Sequence, residues 1–144
     1  MALTHANWLH QHGKRIMLPM LMHPIESQEG YLNAIRACVR LDDAHLSELE
    51  HESLWLQIEL YERSHNIFDN HSPIDAIKYR MSQLGLKQKD LVPIIGTKGR
   101  VSDIMHGRRK INLEMIRRIY HHLHIPLNTL IQDYSLSSSP KPNS

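Results

Sequence analysis

Apolar positions recur at three- and four-residue intervals along most of the chain, and no stretch alternates with period two for long enough to predict a strand. In "DDAHLSELEHESLWLQIELYERSH", residues 42–65, Leu46, Leu49, Leu56 and Leu60 fall at three-, four- and seven-residue spacings. Trp55 and Ile58 widen that stripe, and Asp42 and Asp43 suit the N-terminus of a long amphipathic helix. The stripe suits a domain core first, and otherwise a dimer seam or a partner groove. Upstream, "SQEGYLNAIRACVRL" repeats the pattern, with Ser27 as a cap and Tyr31, Ile35, Cys38 and Val39 on one face. The first 25 residues read as one or two short helices ending at Pro24.

The punctuation at "NIFDNHSP", residues 66–73, divides the chain. Ser72 followed by Pro73 predicts an N-cap with proline in the first helical turn, where a missing N–H costs nothing. That helix runs through Ile74, Ile77 and Met81 to Leu84, and Gly85 supplies a left-handed stop. Shorter periodic segments follow at Lys87–Ile95, Arg100–His106, Leu113–Leu123 and Leu127–Ile131. The closing "SLSSSPKPNS" has no apolar face to bury and is expected to be disordered. The expected fold class is therefore all-α, with a helical region over 1–66, a second domain over 67–134 and a tail over 135–144.

Composition narrows the class. The chain has 144 residues, 41% hydrophobic and 22% charged, which is the ordinary globular range. Cys38 is the only cysteine, so no intrachain disulfide and no cysteine-based zinc site is expected. The apolar run Ile16–Met22 contains Pro19, makes a poor signal peptide and is too short to span a bilayer, so a cytoplasmic location is expected. The net charge of +2 conceals a split. Residues 1–72 carry five Lys/Arg against ten Asp/Glu, and residues 73–144 carry twelve against five. A basic half suits a phosphate backbone, and an acidic half suits a basic protein partner.

"IIGTKGRVSDIMHG" admits two nucleic-acid readings. Gly96 and Gly99 form the G-x-x-G of a single-strand RNA clamp, but strands are lacking on either side and Ser102 stands where that clamp expects isoleucine. A helix-turn-helix accounts for more residues: an apolar Val92 in the first helix, Gly96 at the turn, and Val101 locking the second helix. Leu91 and Ile95 then bury the first helix, Val101 and Ile104 bury the second, and Gly107 ends it. Thr97, Lys98, Arg100, Ser102, Asp103 and His106 are left on a polar, largely basic face. Arg108, Arg109 and Lys110 follow, where a loop would track the phosphodiester backbone. Arg100 is the first candidate for a bidentate guanine contact, Thr97 and Ser102 for bases or phosphate, and Gln88 for a phosphate clamp.

Residues 86–131, "LKQKDLVPIIGTKGRVSDIMHGRRKINLEMIRRIYHHLHIPLNTLI", resemble the lambda-repressor-like (Xre/Cro) helix-turn-helix family, a five-helix fold, and more narrowly the HigA-type antitoxins. "SPIDAIKYRMSQLGL", "IELYERSHNIF" and "ESQEGYLNAIRACVRL" extend the likeness to about residues 26–133. Pro93 within the first motif helix should shorten or bend it. Gly99 replaces a usual serine and Asp103 a usual glutamate, which bears on the operator sequence rather than the fold. The resemblance implies an antitoxin that sequesters a HigB-like, RelE-class ribonuclease and represses its own operon. It also implies a homodimer on palindromic double-stranded DNA, with the acidic N-terminal helices meeting the toxin. A stand-alone Xre-family regulator is the other expectation. No cofactor and no catalytic residue is expected: Cys38 lies on an apolar helical face, and the cluster Glu48, Glu50, Glu52 reads as a solvated face. No metal is expected either, since His121 and His122 point about 100° apart on a helix.

Overall fold

The computed structural model describes residues 23–41 and 48–137, and every regular element among them is helical. They are α1 (Gln28–Leu41), α2 (Glu48–Ser64), α3 (Pro73–Leu84), a 3-10 turn (Gln88–Leu91) running into α4 (Val92–Ile95), α5 (Lys98–Met105), α6 (Leu113–Leu123) and α7 (Leu127–Leu130). The chain forms two compact units, one ending at Ile67 and the other beginning at Phe68. The short helices expected before Pro24, with His5, His10 and His12, lie outside the described residues, as do Asp42, Asp43 and Leu46.

In the first unit, Ser27 starts α1: its Oγ accepts from the Gly30 N–H at 3.0 Å. Tyr31, Ala34, Ile35, Ala37 and Cys38 are buried along one face of α1, and the two helices pack together. The Tyr31 and Tyr61 rings stack at 4.8 Å, and the Tyr31 hydroxyl donates to the buried Glu62 carboxylate at 2.7 Å. That hydrogen bond answers the cost of taking a carboxylate out of water.

The leucine stripe of α2 is not core. Leu49, Leu56 and Leu60 are 72%, 56% and 54% exposed, while Leu54, Trp55, Ile58 and Tyr61 are buried. Leu56 sits about 200° around the helix from Leu54, so α2 carries two apolar faces and buries only one. Two aromatic rings decide between them, because each removes more apolar surface from water than a leucine does and Tyr61 has a stacking partner.

The second unit follows local signals closely. The Ser72 hydroxyl accepts from the Asp75 N–H at 3.2 Å, Pro73 opens α3, and Gly85 closes it with φ 67°. Lys87–Ile95 is two short pieces rather than one helix. The Lys87 N–H donates to the Asp90 carboxylate at 2.8 Å to start the 3-10 turn, and Pro93 follows in the first turn of α4. The core comprises Ile74, Ile77 and Met81 of α3, Leu91, Ile94 and Ile95, Val101 and Ile104 of α5, Met115, Ile116, Ile119 and Leu123 of α6, then Ile125 and Leu130. Arg80 is wholly buried among them, its guanidinium donating to Gln83 Oε1 at 2.9 Å and to the His124 carbonyl at 3.0 Å, 5.1 Å from the centre of the Phe68 ring. The C-terminus of α6 is thereby tied to α3.

Candidate nucleic-acid interface

Two short helices flank a glycine turn. Gly96 has φ 140° and ψ −148°, a region that residues with a β-carbon essentially do not occupy, and its N–H closes α4 on the Val92 carbonyl at 3.0 Å. Thr97 then caps α5, its hydroxyl accepting from the Arg100 N–H at 3.3 Å. The helix thus begins at Lys98, two residues before the periodicity placed it, because the cap rather than the first apolar residue sets its start. Leu91, Ile95, Val101 and Ile104 are all buried and join the two helices. Val92 is not part of that lock. It is exposed, and Ile94 takes the buried position, since the change from 3-10 to α geometry at Leu91 rotates the following residues.

Outside the lock, Thr97, Lys98, Arg100, His106, Arg108, Arg109 and Lys110 are exposed, and Ser102 and Asp103 are half-buried. Gln88 is exposed at the start of the 3-10 turn. The Arg100 side chain folds back over the turn, with Cδ 3.3 Å and Nη1 3.5 Å from where a β-carbon on Gly96 would stand. His106 packs on its own helix, Nδ1 lying 2.8 Å from the Ser102 carbonyl. Gly107 ends the helix with φ 72°.

The loop cations differ in their partners. Arg108 Nε donates to the Asp103 carboxylate at 3.0 Å and Nη2 to the Ser102 hydroxyl at 3.3 Å. Asp103 thus faces its own chain's arginine. Lys110 Nζ donates to Asp133 Oδ1 at 2.6 Å and lies 5.7 Å from the centre of the Tyr134 ring. Arg109 has no ion-pair partner among the described residues.

Asp133 and Tyr134 were not among the expected site residues, and neither was Ser137. The Ile111 N–H donates to the Tyr134 hydroxyl at 2.9 Å, the Ser137 N–H to the Gly107 carbonyl at 2.9 Å, and the Ser137 hydroxyl to the His106 carbonyl at 2.7 Å. The expected disorder from residue 135 onward is therefore corrected for 135–137. The carbonyls at the end of α5 lack helical partners, and Ser137 satisfies two of them. Residues 138–144 lie outside the described residues. A signal was present in Tyr134, an aromatic residue just past the last helix with a hydroxyl able to serve an unpaired backbone group.

The histidine rings of 121 and 122 are 5.5 Å apart with an interplanar angle of 85°, and no three His, Cys, Asp or Glu side chains converge among the described residues. Cys38 is buried and forms no disulfide. No described helix is long and apolar enough to cross a membrane. The chain matches no family model, and no curated protein matches it.

Proposed function

We propose that the protein is a HigA-type antitoxin of the lambda-repressor-like class, which binds operator DNA through α5 and the loop after it and neutralises a basic, mRNA-cleaving toxin through its N-terminal unit. One observation carries the reading. A glycine turn joins two short helices locked together by the buried Leu91, Ile95, Val101 and Ile104, while Lys98, Arg100, Arg108, Arg109 and Lys110 remain at the surface. Such a hairpin suits insertion of its second helix into a major groove, with the following loop on phosphates. Arg100 then reads a base edge, Thr97 and Ser102 contact bases or phosphate, Gln88 holds a phosphate at the opposite end, and His106 and Asp103 border the reading face. Two copies bind a palindrome with their α5 helices about 34–36 Å apart.

The toxin half of the proposal draws on α2. Leu49, Leu56 and Leu60 are exposed beside the exposed carboxylates of Glu48 and Glu52, a combination that favours a basic protein surface with apolar anchors. Co-expression with the product of the neighbouring gene tests it. The chain is expected to rescue growth from that product, and Leu56→Glu with Leu60→Glu to abolish rescue while leaving DNA binding intact. Rescue by the double variant overturns the assignment of this face. DNA binding without any rescue by the native chain leaves a stand-alone Xre-family regulator.

A further inference from the structure

The segment after α7 is a built contact and not a loose end. Ser137 bonds to the carbonyls of both His106 and Gly107, and it sits so close to Gly107 that a β-carbon there would lie 3.0 Å from the Ser137 hydroxyl. Tyr134 takes the Ile111 N–H and offers its ring to Lys110, whose ammonium Asp133 holds at 2.6 Å. Three successive attachments therefore fix this strap along the basic loop from both ends.

The Asp133–Lys110 pair contributes little to stability. The Asp133 side chain is 92% exposed and that of Lys110 49%, and pairs so open to solvent have a median worth near zero. Its effect falls on the charge that the loop presents. A carboxylate bound to an ammonium occupies the place a phosphate oxygen would take, and it lowers the local positive field to which a polyanion responds. Asp103 stands in the same relation to Arg108, so two of the three loop cations already face a carboxylate of their own chain.

We propose that the strap Asp133–Ser137 is an internal brake on DNA binding, in which Asp133 competes with a backbone phosphate for Lys110 and holds down affinity for DNA of any sequence. The inference rests on the reading of α5 and its loop as a DNA interface. A protein held at every phosphate is slow to find one operator, and weaker sequence-independent binding shortens the time it spends on unrelated DNA.

The test is a salt titration of the full chain on a duplex of unrelated sequence, followed by fluorescence anisotropy. Asp133→Asn is expected to steepen the slope of log affinity against log salt by about 0.9, one further phosphate contact, which is roughly a threefold larger loss between about 50 and 200 mM salt. Asp133→Asn combined with Lys110→Ala should return the slope to the native value, because the released cation is then missing. Glu26→Gln makes the same charge change at an exposed position outside the interface and should leave the slope unchanged. An unchanged slope in Asp133→Asn, or an equal rise in Glu26→Gln, overturns the brake while the DNA reading stands. No salt-dependent duplex binding by the native chain overturns both.

Discussion

The side chain of Arg100 lies back across Gly96, its Cδ 3.3 Å from where a β-carbon on that glycine would be. The turn and the proposed base-reading residue are thus coupled. Gly96→Ala places a side chain at φ 140°, a conformation costing about 1–3 kcal/mol, and pushes Arg100 away as well. Urea unfolding is expected to show that loss, together with weaker DNA binding by whatever folded protein remains. Gly99 is the opposite case. Nothing lies within 4 Å of a β-carbon built there, so Gly99→Ala should raise helix stability by about 0.5–1 kcal/mol. A loss of stability in Gly99→Ala would mean that the start of α5 is not the helix described.

Arg80 makes the second unit dependent on one buried cation. Its guanidinium joins Gln83 to the His124 carbonyl, and His124 ends α6 in the left-handed region with φ 52°. Arg80→Ala opens a cavity and removes the donor to the part-buried His124 carbonyl, so a loss of about 2–5 kcal/mol in chemical unfolding is expected. A loss below about 0.5 kcal/mol, the range of an ordinary surface position, would remove Arg80 from the core.

The strap has a pH signature. A hydrogen bond from Lys110, and then the charge of Lys110, hold the Asp133 carboxyl below its ordinary value of 3.8. A carboxylate depressed in the folded state favours folding above its unfolded pKa, and that contribution disappears as pH falls through the lowered folded value. The pair is therefore intact at neutral pH and opens only in acid below 3.8. An NMR titration of the Asp133 side-chain carboxyl should show a midpoint under 3.8, rising toward it in Lys110→Ala. A native midpoint at or above 3.8 would show that the ion pair does not form in solution.

What the sequence disclosed, it disclosed through local signals. Ser72, Pro73 and Gly85 bound α3, and Leu91, Ile95, Val101 and Ile104 form a buried lock, because caps and helical periodicity act within a few residues. The α2 leucines misled for a nonlocal reason. Two apolar faces compete on one helix, and the choice depends on Tyr31, thirty residues away in the chain from Tyr61. The strap was missed for the same reason, since serine-rich composition says nothing about the carbonyls of His106 and Gly107 that Ser137 meets. Thr97 shows a subtler gap: residue type marked it for DNA, while its position also makes it the cap on which α5 is built.

The central claim is that α5 and its loop read DNA. Its most direct measurement is anisotropy on a duplex selected by the native chain from random sequence, run beside an unrelated duplex over a salt series. Arg100→Ala is expected to lose about 1–3 kcal/mol on the selected duplex alone, and Arg109→Ala to lose affinity for both and flatten the salt slope by about one. Native affinity on the selected duplex unchanged in both variants would contradict the account, because the surface built around Gly96 would then not be where DNA sits.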